Sequence, residues 1–193
     1  MNASQLNLFD APPEGLPEGL ALGRELVSAA EEAALIRRID DAGLAPFQFH
    51  GWLGKRLTAS FGFGYDYGRG VLAKAPPLPE WLLPLRERLA LWAGRDPADF
   101  VQALVIRYDP GAGIGWHRDR PQFDAVIGLS LGNEAPLRLR RRLADGKFER
   151  RIVPLEPRSA YLLTGPSRWE WQHALLPVTE PRWSVTFRSL RGA

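Results

Sequence analysis

His117 and Asp119 stand two apart in Gly115-Trp116-His117-Arg118-Asp119, in a chain that holds three histidines and no cysteine. In extended backbone that spacing puts both side chains on one face, where they can reach a single cation. A third ligand has to come from elsewhere. The other histidines are His50, in the first half, and His173, in "WEWQHALLP" just ahead of the last apolar run. Two imidazoles and one carboxylate on one face of a metal leave positions open, the arrangement of non-haem Fe(II) oxygenases. Zinc in a tetrahedral His₂Asp site with water is the competing assignment. Downstream, "PRWSVTFRSLR" carries Arg182 and Arg188 six residues apart, with Ser184 and Thr186 between them. On a strand the even separation aligns both guanidinium groups, and a buried pair of them calls for a dianion such as a small dicarboxylate. The plainer alternative is that these arginines face solvent or pair with acidic side chains of the protein.

These residues need elements to position them. "FVQALVIRY", "AVIGLSLG", "SAYLLTG" and "WSVTFRSL" read as strands, and "LRLRRRLADGKFERRIVPL" alternates Leu137, Leu139 and Leu143 with Arg138, Arg140 and Arg142 around an Asp145-Gly146 reversal. Ahead of them a capping box at Ser28–Glu31 opens one helix that ends at Gly43, and Leu82, Leu85, Leu89 and Trp92 mark a second that stops at Gly94. Hairpin connections without βαβ alternation predict a mostly β chain with flanking helices (α+β), a double-stranded β-helix or jelly roll buttressed by two N-terminal helices. With 193 residues, one domain over 24–193 is expected, its jelly-roll core at about 100–190, preceded by an extended Pro/Gly-rich arm at 1–23. "SFGFGYDYGRG" and its surroundings, about 47–75, read as surface loops or a short hairpin that recognise substrate.

The second half resembles the AlkB-type Fe(II)/2-oxoglutarate-dependent dioxygenases, on "RYDPGAGIGWHRD", the histidine of "WQHALLP" and "RWSVTFR". The resemblance covers about residues 100–190, and Ser184 stands where the family's R-x-N-x-T-F-R ending usually has Asn. It implies that His117, Asp119 and His173 bind Fe(II) and form the catalytic centre. Tyr108 and Arg182 hold the distal carboxylate of 2-oxoglutarate, with Ser184 beside them, and Arg188 lies near the metal-proximal carboxylate. Ile106 replaces a common Asn, and with Ser184 it makes the cosubstrate lining less polar. The implied reaction consumes 2-oxoglutarate and O₂, releases succinate and CO₂, and hydroxylates the substrate. On an N-methylated base of DNA or RNA the product collapses to formaldehyde and the repaired base. The alternative is an oxygenase of the same fold that hydroxylates or demethylates protein.

Nucleic acid is favoured as partner by charge. Arg138 to Arg151 carries seven basic residues against Asp145 and Glu149, an excess of five against a whole-chain net charge of +3. Arg138, Arg140 and Arg142 are the expected phosphate contacts. Extracting a base calls for aromatic walls, for which Phe63, Tyr65 and Trp116 are the candidates, with Phe61 and Tyr67 nearby. The other reading of Trp116, Trp169, Trp171 and Trp183 is that they fill the core. Relatives that demethylate DNA usually place an acidic residue shortly after H-x-D; here Arg120 and Pro121 occupy those places, and Asp124 can substitute only if the loop folds back. "QLNLF", Gln5 to Phe9, is similar to the peptide with which bacterial repair proteins dock on the sliding clamp. The absence of cysteine, of a signal-like N-terminus and of a long apolar run predicts a cytoplasmic monomer without membrane attachment.

Overall fold

The structure, a computed structural model, describes residues 15–49, 52–66 and 70–192. In chain order the elements are β1 (Leu20–Gly23), α1 (Ala29–Asp40), β2 (Ala45–Phe49), β3 (Trp52–Phe61), β4 (Phe63–Asp66), β5 (Val71–Lys74), α2 (Leu83–Trp92) and β6 (Phe100–Tyr108). There follow β7 (Ile114–His117), β8 (Phe123–Gly132), β9 (Ala135–Arg142), β10 (Phe148–Leu155), β11 (Ala160–Leu163), α3 (Gly165–Trp169), β12 (Gln172–Leu175) and β13 (Arg182–Leu190). A seven-stranded sheet runs β1-β11-β8-β13-β6-β3-β2, a four-stranded sheet runs β10-β9-β12-β7, and β4-β5 form a separate hairpin. All pairings are antiparallel. The expected jelly roll is what forms.

Alternation along the central strands makes the larger sheet two-sided. From β8 and β13, Ile127, Leu129, Leu131, Val185 and Phe187 join Ile39, Leu82, Leu85 and Leu89 beneath the two helices. The opposite parity of the same strands faces the smaller sheet. There Val126 packs with Leu137, Leu139, Val153, Leu155 and Leu163. Towards β6 and β13, that inner face turns polar, with Gln102, Ser130, Arg182, Ser184, Thr186 and Arg188 on it. Burial of the apolar residues supplies the stabilisation, and the polar strip is what that stabilisation carries.

The helices begin as their sequence dictates. Ser28 Oγ accepts from the Glu31 amide and Glu31 accepts from the Ser28 amide, the reciprocal capping box. Glu31 also takes a 2.7 Å bond from Arg88 of α2, tying the helices together. The β9-β10 hairpin turns at Asp145-Gly146, where Gly146 has φ +83°, the left-handed region that glycine enters at least cost.

Two expectations shift. Leu20–Gly23 is not arm but an edge strand on β11, because Leu20 belongs to the inner apolar cluster and gains by pairing. The segment expected as loops at 47–75 holds the ten-residue β3, which extends the large sheet beside β6, and only β4-β5 is the short hairpin. Glycine-rich composition there hid Leu57, Thr58 and Ala59, which pair with β6. Among the described residues no helix is long and apolar enough to cross a membrane.

Candidate active site

β7 and β12 lie side by side, and their register puts His117 directly opposite His173. Their rings sit 4.2 Å apart, and Asp119, two residues past His117, brings its Oδ2 to 3.5 Å from His173 Nε2. One ligand atom from each of the three lies within 4.8 Å of the others. The three predicted ligands converge.

Their chemical state suits a cation. The carbonyl of Gly115 can only accept, so the 2.9 Å contact makes His117 Nδ1 the protonated nitrogen and leaves Nε2 with a free lone pair. Burial lowers the pKa of both imidazoles, and with the neighbouring His117 it takes His173 down to about 3, so both are neutral at physiological pH. Burial alone would raise Asp119. The permanent charge of Arg188 overcomes it and holds the carboxyl well below the usual carboxylate range. Asp119 Oδ2 is buried and has no hydrogen-bond partner. A neutral imidazole pair beside an unpartnered carboxylate oxygen is a donor set complete for a divalent metal.

Arg188 stands at the metal end of the cleft. Its Nε donates to Asp119 Oδ1 at 2.7 Å and its Nη1 to Gln102 Oε1 at 2.9 Å, so it orients a candidate metal ligand. Gln102 was detectable as the polar residue that interrupts the apolar start of "FVQALVIRY".

Arg182 is opposite Tyr108 in the sheet, 5.2 Å from the phenol ring, and only 2% exposed. Its Nε has no hydrogen-bond partner, and neither has the buried Ser130 hydroxyl, which pairs in register with Ser184. A guanidinium removed from water needs an anion, and these unpartnered donors are placed to hold one. Tyr161 completes the lining. Burial, then the Asp119 charge, pushes its pKa up and keeps the phenol protonated. Gly128 accommodates it, because a Cβ there would meet the phenol ring at 2.4 Å. Neither residue carries a sequence signal, since their contact spans two strands.

A cleft of about 1780 Å³ joins both sites. Phe47, Phe63, Arg56, Trp169, Arg118 and Arg120 also line it. Arg168, which sequence reading missed, is 2% exposed and donates to the carbonyls of Arg120, Phe123 and Asp124 at 2.7, 2.7 and 2.9 Å. It fixes the backbone that follows Asp119. Asp124 is the second residue of β8 and is not among the residues lining the cleft, so it does not fill the acidic place.

The remaining candidates divide. Phe63 lines the cleft, whereas Phe61 packs against the helix-side core. Trp171 and Trp183 fill the two cores, as the plainer reading had it. Trp116 borders the cleft, but its indole lies under Arg138 and Arg140 at 5.1 and 4.4 Å rather than over the metal ligands, because neighbours on a strand point to opposite faces. Arg138 and Arg140 are half-buried on the outer side of the smaller sheet, and Arg142 is exposed near the hairpin tip. His50, Tyr67 and Gln5 to Phe9 lie outside the described residues, as does the side chain of Tyr65.

The model of the 2OG-Fe(II) oxygenase superfamily matches residues 24–191. The tRNA (carboxymethyluridine(34)-5-O)-methyltransferase ALKBH8 of Mus musculus is 31% identical over 173 residues, 85% of this chain and 25% of that protein. The alkylated DNA repair protein ALKBH8 homolog of Arabidopsis thaliana is 28% identical over 180 residues, 80% of this chain and 50% of that protein. The chain thus spans a quarter to a half of the length of these relatives. Among solved structures, OsALKBH1 matches with a TM-score of 0.66 at 19% identity, over 90% of this chain and 98% of that one. A Pseudomonas putida prolyl-4-hydroxylase matches with a TM-score of 0.63 at 18% identity, over 90% and 93%. Those two likenesses speak to fold alone. Family match, curated relatives and converging donor sets agree: this chain belongs to the 2OG-Fe(II) oxygenase superfamily as an AlkB-type dioxygenase, whose cofactor is Fe(II) and whose cosubstrates are 2-oxoglutarate and O₂.

Proposed function

We propose that the enzyme removes N-methyl groups from bases of DNA or RNA. The balance is one N–CH₃, one 2-oxoglutarate and one O₂ giving an N–CH₂OH, succinate and CO₂, after which the hemiaminal releases formaldehyde and leaves N–H. Bound Fe(II) would activate O₂, the oxidant that couples decarboxylation of 2-oxoglutarate to insertion of oxygen into the C–H bond. The protein's own residues do the rest. Arg182, Tyr108, Ser130 and Tyr161 offer donors to the distal carboxylate, Arg188 and the Gly115 carbonyl orient the metal ligands, and Arg168 holds the loop beside them.

The observation that carries this reading is the cleft. Drug-sized pockets run to roughly 300–1,000 Å³, and about 1780 Å³ leaves room for a nucleobase beside the cosubstrate. Its outer walls offer Phe47, Phe63 and Trp169 for stacking and Arg118 and Arg120 for phosphate. The relatives' names speak of tRNA and of alkylated DNA, which supports the same substrate class. The test supplies protein with Fe(II), 2-oxoglutarate and O₂, then methylated oligonucleotides or methylated peptides, and measures succinate and formaldehyde. Stoichiometric formaldehyde from oligonucleotide is expected. Release from peptide alone would reverse the assignment in favour of a protein substrate.

A further inference from the structure

The β9-β10 hairpin sorts its charges by parity. On one side, Glu149 closes Arg141 at 2.9 Å and Arg151 at 2.8 Å, and Glu170 closes Arg141 again at 3.0 Å. On the other, Arg138 and Arg140 of β9 alternate with the buried Leu137 and Leu139 and, with Arg142, share a face with Phe148 and Arg150 of β10. None of these four arginines has an ion pair among the described residues. Arg150 is directly opposite Arg140, a like-charge pairing that costs a sheet stability.

Aromatic rings separate these charges. Arg138 and Arg140 lie over Trp116 at 5.1 and 4.4 Å, and Arg140 and Arg150 over Phe148 at 4.6 and 5.7 Å. Arg140 is thus held between two rings, and its Nε also donates to Gln172 at 2.8 Å. A stacked guanidinium is fixed on edge, which presents its remaining N–H fork to a planar anion. Arginines two apart on a strand stand about 6.8 Å apart, a row suited to a repeating anion rather than a single small one. The row also ends at the chemistry. Trp116 is the residue before the ligand His117, and both line the cleft with Arg118.

We infer that this outer face, Arg138-Trp116-Arg140-Phe148-Arg150, is a docking row for the phosphodiester backbone of the single-stranded nucleic acid that flanks the nucleotide in the cleft. The inference rests on the nucleic-acid reading above and names where the rest of the polymer lies. The row balances its unpaired like charges by binding a polyanion, with neighbouring bases free to stack on the rim of the rings.

The test titrates full-length protein with unmethylated, labelled single strands of about 4 and about 16 nucleotides at several salt concentrations. The longer strand should bind more tightly. The triple variant R138Q/R140Q/R150Q should bind it at least ~10-fold more weakly, and the slope of log affinity against log salt should flatten by about 2, at about 0.7 per lost phosphate contact on a single strand. Phe148→Leu, which keeps every charge, should give a smaller loss. Arg24→Gln, remote and paired with Glu156, should give none. Thermal unfolding checks that each variant folds; should the triple variant not fold, the three single Arg→Gln changes read the same slope one contact at a time. Equal affinity for short and long strands, an unchanged slope, or displacement of the strand by an equal charge of polyglutamate would overturn the row. If a methylated oligonucleotide is demethylated while the row variants bind normally, the row is wrong and the function stands. If the row binds as described and no methylated oligonucleotide yields formaldehyde, the function is wrong and the row stands.

Discussion

Arg188→Met separates two roles for one residue, that of orienting Asp119 and that expected beside the metal-proximal carboxylate of the cosubstrate. In the structure its Nε is 2.7 Å from Asp119 Oδ1, and the two side chains are 13% and 5% exposed. Methionine removes both the charge and the donor and leaves a buried carboxylate whose Oδ2 already lacks a partner. Breaking one side of a buried ion pair costs about 3–5 kcal/mol, so the metal-free variant should lose that much stability in denaturant. Metal should not close that gap, because a carboxylate that Arg188 no longer orients binds it less well. Metal affinity should fall about 10- to 100-fold, the usual cost of losing a group that orients a ligand, or roughly 1.4–2.7 kcal/mol. Arg188→Lys, with its charge but not its fork, should fall between. Anaerobic calorimetric titration with Fe(II), and with Co(II) as a spectroscopic substitute, reads the affinity directly; 2-oxoglutarate titration of the metal-loaded protein reads the other role. An Arg188→Met protein that binds metal as tightly as wild type while losing 2-oxoglutarate would refute the assignment of Arg188 to Asp119.

Arg182→Met should behave oppositely. Its buried guanidinium has no carboxylate partner among the described residues, so the variant should be at least as stable as wild type without cosubstrate, yet lose the rise in unfolding temperature that 2-oxoglutarate gives; a fully retained rise would count against the anion site. Gly128→Ala drives a methyl into the Tyr161 side chain and should cost about 1–3 kcal/mol while weakening 2-oxoglutarate, and Tyr161→Phe in the same chain should not restore stability, since ring carbons crowd that methyl even more closely than the hydroxyl does. Glu31→Gln should destabilise by roughly 0.5–1 kcal/mol at neutral pH, a value kept small because the Arg88 pair is half exposed. Arg88, then the Ser28 amide, lowers Glu31 to about 2, so its contribution is present above the ordinary carboxylate range and fades as pH falls towards 2; chemical denaturation along that series should show wild type and variant converging.

Much of this was legible because it is local or periodic. The capping box, the Asp145-Gly146 turn and the one-residue gap between His117 and Asp119 each depend on neighbours in sequence, and each forms. The even spacing from Arg182 to Arg188 likewise survives, because β13 is regular between them. What was illegible depends on pairing between distant strands. Nothing near Tyr161 announces that Gly128 leaves it room, and nothing near Arg168 announces that its partners are three carbonyls more than forty residues away. β3 was lost for a related reason, since glycine and aromatic content describes a loop only when no neighbouring strand offers a ladder, and β6 offers one.

The same period of two that located the ligands also corrects the placement of Trp116. Adjacent residues of a strand cannot both face the metal, so His117 inside requires Trp116 outside, and Leu137 and Leu139 inside require Arg138 and Arg140 outside. A single sheet four strands wide therefore holds the candidate metal-ligating imidazoles on one surface and a row of stacked guanidinium groups on the other, a peptide's thickness apart. This division has an electrostatic logic. The inner face holds its buried guanidinium groups where an anionic or carbonyl partner answers them, as Asp119 answers Arg188, whereas the outer face can gather positive charge where water screens it from the site. Charge for holding a polymer and electron pairs for holding a metal are kept compatible by the pleat, and a one-residue slip of β7 or β9 against β12 would abolish both at once.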